Sequence, residues 1–186
     1  MRRLSIALVH YPVLDGQGAI VTTAVTNLDV HDLARTARTY GAQDYFVVHP
    51  IAAQRDLVGR ILEHWTVGSS GRRIPDRREA LTLLRITSSL EAAIDAMGGR
   101  ERVEVWVTAA REAGATINFA DARKRLEADG GPILILFGTG WGLASEVIDA
   151  ADRRLAPIRA ERGDGYNHLS VRAACAITMD RLAGER

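Results

Sequence analysis

Gly131-Pro132-Ile133-Leu134-Ile135-Leu136-Phe137-Gly138-Thr139-Gly140-Trp141-Gly142-Leu143 is the stretch on which the reading of this chain turns. Its first half is a continuous apolar run of strand length, without alternation. Such a run suits a strand covered on both faces, as in a parallel sheet. It stops in a glycine-rich turn and then reads as a helix through Ala150. Glycines there let the backbone come close to a ligand where a Cβ would obstruct it. A second stretch, Gly165-Tyr166-Asn167-His168-Leu169-Ser170-Val171-Arg172, opens with turn residues and passes into an Ala-rich helix from Val171 to Leu182. Two backbone-rich loops in tandem read as the walls of one pocket for a flat, partly polar ligand.

Working outward, Val103 to Thr108 alternates as a strand does, with Ala109-Ala110-Arg111 at its end. Asn118-Phe119-Ala120-Asp121 then caps a helix to Ala128. At the front, Leu4 to His10 is a first strand, closed by Tyr11-Pro12, where proline drives the residues before it towards extended backbone. Asp15-Gly16-Gln17-Gly18 is a turn, and Ile20 to Thr26 is either a short strand or an extended loop. A helix from His31 to Tyr40 follows, capped by Asn27 or Asp29 and stopped by Gly41. Gln43 to Pro50 is a second strand and Gln54 to Trp65 an amphipathic helix. Thr66 to Arg78 is polar, glycine-containing and basic, and is expected to be a mobile surface loop.

Ala80 to Ile86 reads as a further strand, and Ser88-Ser89-Leu90-Glu91 has capping-box spacing ahead of a helix to Met97. A short strand near Arg154 to Ala156 and a loop from Pro157 to Gly165 lead into the final helix. Strands alternating with helices imply an α/β fold, a mostly parallel sheet with helices on both faces. The 186 residues suit one buried core, so residues 1–186 are expected to form a single domain.

Hydrophobic residues make up 47% of the chain and charged ones 25%, the balance of a soluble globular protein. No apolar run approaches the roughly 20 residues that span a bilayer. The brief run after Met1-Arg2-Arg3 lacks a small-residue cleavage site, so a buried strand is expected rather than a signal peptide, and the cytoplasm is the expected location. Cys175 is the single cysteine, which excludes an internal disulfide and a multi-cysteine zinc site. Its Ala-rich setting marks it as a small packing residue. No second histidine lies at ligand spacing from His168, and no metal is expected.

The net charge of +1 does not by itself point to nucleic acid. Distribution says more. Lys124 is the lone lysine, while arginines cluster at Arg72-Arg73, Arg77-Arg78, Arg153-Arg154 and Arg159/Arg162. Guanidinium groups fork onto phosphates and stack on bases. A lysine-poor chain with solvated arginines gives the same pattern.

Four pieces, His10-Tyr11-Pro12-Val13, Thr26 to Arg35, Phe137 to Leu143 and Gly165 to Arg172, resemble the SPOUT class of RNA methyltransferases in residues and in order. The closer likeness is to a small bacterial and archaeal subfamily of that class. The resemblance implies a C-terminal trefoil knot, S-adenosylmethionine (SAM) as cofactor, structured RNA (tRNA or rRNA) as substrate, and a homodimer packed through the knot helices.

It also places the cofactor on Thr108, Ala109, Gly138, Gly140, Trp141, Ile158, Asn167, His168, Leu169 and Ser170. The catalytic side is carried by Arg35 with Asp29 and Asn27; RNA contacts are expected from Arg35 and, on the charge clustering alone, from Arg72, Arg73, Arg77 and Arg78, where a plain surface loop is the alternative. Asp29 stands where ribose-methylating relatives tend to have asparagine, and the Gly138 turn lacks the glutamate they often carry. A carboxylate base leans the acceptor towards a base nitrogen rather than a ribose 2′-hydroxyl.

Alternatives stay open at several of these residues. Trp141 either covers the cofactor or buttresses its turn. His168 is a local hydrogen-bonding residue or a proton carrier, Asp29 a base or a helix cap, and Arg35 a substrate contact or a partner for Asp32. Two other functions compete: a knotted protein that holds SAM or RNA without turnover, and a dinucleotide-binding oxidoreductase. The second fits poorly, because the third glycine of 138–142 comes one residue early and Asp149 and Asp152 arrive too soon for the ribose-binding acid about 20 residues on.

Overall fold

The computed structural model describes residues 1–110, 114–161 and 166–185. Arg111, Arg162 and Gly165, singled out above, lie outside the described residues. In chain order the first half runs β1 (Leu4–Val9), β2 (Val13–Leu14), β3 (Ile20–Val21), α1 (Asn27–Thr39), β4 (Tyr45–Val48), α2 (Ala52–Thr66), α3 (Ser69–Arg73) and α4 (Pro75–Leu81). Then come β5 (Leu84–Thr87), α5 (Leu90–Ala96), β6 (Glu104–Val107), α6 (Phe119–Glu127), β7 (Ile133–Gly138), α7 (Ser145–Asp149), β8 (Arg153–Arg154) and α8 (Val171–Ala183).

Six strands form one sheet in the order β5-β4-β1-β7-β6-β8, with every neighbouring pair parallel. The apolar run chosen at the outset is β7, at the centre, paired with β1 from Leu4 opposite Ile133 to Val9 opposite Gly138. Its lack of alternation has the expected cause. Ile133, Ile135 and Phe137 face one buried layer with Leu33, Ala37, Leu126 and Met179, and Leu134 and Leu136 face the other with Ile94, Leu143 and Val147. Helices α1, α4, α6 and α8 cover the first face; α5 and α7 cover the second. Cys175 is fully buried in the first layer, where burial pushes its thiol pKa up.

Several expected boundaries shift. Thr26, not Asn27 or Asp29, caps α1, its side chain accepting from the Asp29 N–H at 3.2 Å. The segment expected to be a mobile loop holds two short helices, α3 and α4, with Pro75 at the start of α4, where its missing N–H costs nothing. Ala80 and Leu81 end α4, so β5 begins only at Leu84. Ser89 rather than Ser88 caps α5. The helix after β7 is confined to Ser145–Asp149, because Leu143 instead bridges to Val13.

Candidate functional site

In a parallel sheet every strand ends at the same edge, where the connecting loops gather and ligands collect. Here His10, His49, Thr108 and Gly138 lie at the ends of β1, β4, β6 and β7. Helix α1 also begins at that edge.

The glycine turn after β7 is shaped by close approach of the protein to itself. Gly140 has φ +59°, and a Cβ there would sit 2.8 Å from the Leu14 carbonyl oxygen. The Trp141 N–H donates to that carbonyl at 2.9 Å, and the Leu14 N–H donates to Gly142 at 2.9 Å. The turn is thus stitched to the small β2–β3 hairpin. A Cβ on Gly138 would lie 2.7 Å from the Leu143 nitrogen as the chain folds back. Sequence reading assigned the glycines to ligand approach; at these two positions the neighbour is the chain itself.

Three loops expected at the cofactor meet. The Asn167 amide donates to the Ala110 carbonyl at 2.9 Å, tying the last loop to the end of β6. The rings of Trp141 and His168 meet edge to face at 5.7 Å, tying it to the glycine turn. Trp141 rests on the backbone of Gly16 and remains 59% exposed, so it both buttresses the turn and offers an open aromatic surface. Ser170 caps α8, accepting from the Ala173 N–H at 3.2 Å. The Thr108 hydroxyl donates to the Leu136 carbonyl at 2.9 Å, holding the end of β6 to β7. Ala109 and Ile158 are half-buried, and Leu169, like Tyr166, is exposed.

The cradle therefore offers exposed aromatic and aliphatic surface beside small residues and loop main chain. That combination fits an adenine ring with an aliphatic tail.

Below the turn runs a part-buried hydrogen-bond chain that the sequence did not suggest. The Thr139 hydroxyl donates to the Val9 carbonyl at 3.1 Å and so accepts from the Thr23 hydroxyl. Thr23 must then accept from His10 Nδ1–H at 2.9 Å. This puts a proton on His10 Nδ1 and leaves its buried Nε2 without a partner. His49 donates through Nε2–H to the Thr23 carbonyl at 2.9 Å and accepts the Ile51 N–H at Nδ1. The two imidazoles stack at 5.2 Å. Burial, with His49 adding to it, holds the His10 pKa down at about 4.

Asp29 lies in the first turn of α1, 6% exposed, and its carboxylate faces α8. There Arg172 Nη1 donates to Oδ1 at 2.6 Å, and the same guanidinium comes within 3.7 Å of Asp32. Arg172 belongs to the second quoted stretch but carried no assigned role. Arg35, further along α1, is 60% exposed and sits 3.8 Å from Asp32. Asp32 is thus within reach of both arginines, while the Asp29 carboxylate takes Arg172 as its partner. Asn27 is exposed at the start of α1. Of the arginines assigned to RNA, Arg72, Arg73 and Arg78 are exposed, while Arg77 lies over the Trp65 ring, 4.8 Å from its centre.

Among the described residues, no three or more His, Cys, Asp or Glu gather closely enough to hold a metal ion. No helix among them is long and apolar enough to cross a membrane.

The sequence profile of the SAM-dependent RNA methyltransferase family matches residues 3–184. A tRNA (guanine-N(1)-)-methyltransferase of Nitratidesulfovibrio vulgaris is 44% identical over 184 residues, which are 99% of this chain but 43% of that protein. An uncharacterised protein of Aquifex aeolicus is 38% identical over 180 residues, 95% of this chain and 86% of its own length. Among solved structures, TrmJ from Z. mobilis superposes with a TM-score of 0.63 at 16% identity, covering 100% of this chain and 70% of that one. That likeness bears on the fold alone, and it is the fold of the SPOUT methylases.

Proposed function

This chain belongs to the SAM-dependent RNA methyltransferase family, and from that premise we propose that it transfers a methyl group from SAM to structured RNA at the edge where β1, β6 and β7 end. Bound SAM supplies a methyl carbon on a sulfonium, a good leaving group. What the protein must add is alignment of the acceptor and removal of its proton.

The observation that carries the reading is the joining of three loops into one cradle through Asn167 with Ala110 and Trp141 with His168. Thr108, Ala109, Gly138, Gly140, Trp141, Ile158, Asn167, His168, Leu169 and Ser170 would hold the cofactor. The trefoil knot and residues 1–186 as a single unit belong to the same reading, as does a cytoplasmic location.

Asp29, buried and paired, serves best as the residue that fixes Arg172 at the head of α8. Arg35, exposed, faces the substrate. In a homodimer packed through α8, the Arg35 of one subunit would lie towards the cofactor of the other. Ala173, Ala174, Ala176 and Ile177 stay half-exposed on α8 in support of that packing. Exposed Arg72, Arg73 and Arg78 would grip the RNA backbone, together with Arg77.

The acceptor is proposed to be a base nitrogen of tRNA, the chemistry in the name of the N. vulgaris relative. The chain spans 43% of that relative's length. Titration with SAM, followed by transfer of labelled methyl to total RNA, tests the proposal. Binding without transfer leaves a knotted binding protein; binding of NAD in place of SAM leaves an oxidoreductase.

A further inference from the structure

A groove of about 600 Å³ runs between α1, α2 and α4, and one of its lining residues, Asp32, also lies 3.7 Å from Arg172. Its wall from α2 includes Leu57, Arg60 and Trp65, its wall from α1 includes Asn27 and Asp32, and Arg77 closes it from α4. The Trp65 ring is held edge-on by His31 at 5.2 Å and by His64 at 5.7 Å. The Arg77 guanidinium carbon lies over that ring, 4.8 Å from its centre.

An arginine over a tryptophan ring combines a planar, weakly hydrated cation with an aromatic face, the pairing on which an unstacked base rests. Duplex RNA offers no such face, since its bases are already stacked and its major groove is closed to side chains. Charge selects the occupant further. The groove's own charged side chains are Arg60 and Arg77 against the carboxylate of Asp32, a net positive lining. A polyanion is favoured there over a neutral peptide.

We propose that this groove seats an unpaired nucleotide of the RNA beside the one that is methylated, its base on the Trp65–Arg77 pair and its phosphate drawn to Arg60. The proposal rests on the RNA methyltransferase reading and extends it by naming a second contact, one turn from the start of α1. It also accounts for Leu57, a large apolar side chain left 42% exposed.

The test uses the full chain, a fluorescent single-stranded oligoadenylate, and a duplex RNA of similar length. The single strand is expected to bind more tightly than the duplex and to quench tryptophan fluorescence. Trp65→Ala is expected to weaken single-strand binding by roughly tenfold or more, the scale of losing one base–aromatic stack. Because Trp65 also packs on the core, Leu57→Glu serves as the variant that spares the fold, with a loss of roughly fivefold from a carboxylate set in the groove. SAM titration of each variant reports folding, and its affinity is expected to match the parent's.

Variants that bind SAM and the single strand as the parent does overturn the proposal, as does a parent that binds SAM but no single strand. Absence of SAM binding in the parent counts against the methyltransferase reading alone, since the oligonucleotide measurement does not need SAM.

Discussion

Arg172 at the head of α8 donates to Asp29 at the head of α1 at 2.6 Å, across 143 residues of chain. The carboxylate is almost wholly buried and the guanidinium about two-thirds so. The pair fixes where the last loop enters its helix, immediately after Ser170. It couples the proposed cofactor cradle to the helix that carries Arg35.

Arg172→Met is expected to destabilise the protein by about 2–3 kcal/mol, because it leaves a buried carboxylate without its partner. Asp29→Leu with Arg172→Met removes both charges and is expected to recover part of that loss. Urea unfolding of the two single variants and the double variant measures the coupling. Additive losses would show that the contact does not hold α1 to α8.

Gly140→Ala places a side chain at φ +59° and 2.8 Å from the Leu14 carbonyl. A loss of about 1–2 kcal/mol in stability is expected from the backbone alone. SAM affinity should fall with it, as the turn is pushed off the hairpin. Calorimetric melting and SAM titration of the same variant check both effects.

His10 gives a pH dependence with a definite sign. Its pKa is about 4 in the folded chain against an ordinary 6.5. Between those values the unfolded chain binds the extra proton and the folded one does not. The contribution is therefore fully present above about pH 6.5 and is lost as pH falls towards 4, amounting to about 3 kcal/mol. His10→Asn keeps an N–H near the Thr23 hydroxyl but does not titrate. Urea unfolding from pH 7 to pH 4.5 should fall more steeply for the parent than for this variant.

Glu104, at the opposite edge of the sheet, behaves in the acid range. Burial raises its pKa, but hydrogen bonds from Arg125, Trp106 and Arg2 outweigh that and hold it at about 2. Its stabilisation is present above the ordinary carboxylate pKa and is lost as pH falls towards 2. Glu104→Gln is expected to cost about 2–3 kcal/mol at neutral pH, and the difference from the parent should shrink below pH 3. Parallel unfolding curves at pH 7 and pH 3 measure it.

Much of this was legible in the sequence, for physical reasons. The unalternating run at 133–137 suited a strand covered on both sides, with glycine bounding it at each end, and it is the central β7. Gly41 and Asn118 mark helix ends because their roles are local, whereas Ser170, read only as a cofactor contact, also caps α8. The segment at 66–78 misled because Gly68, Gly71 and Pro75 read as breakers. Gly71 is in fact required by packing, since a Cβ there would meet the Trp65 carbonyl at 1.9 Å. The Asp29–Arg172 pair and the Thr139–Thr23–His10 chain were hidden because each joins residues far apart in sequence, although His10 and Arg172 both fall inside stretches already singled out.

The account stands on one pocket built from residues 108–110, 138–142 and 166–170. Isothermal titration with SAM measures it most directly, run on the parent and on Asn167→Ala and Trp141→Ala. One SAM per chain is expected, no heat with NAD, and a loss of roughly fivefold or more in affinity for each variant, the scale of one hydrogen bond or ring contact. A chain that takes up no SAM, or variants in both loops that bind it as the parent does, would contradict the account.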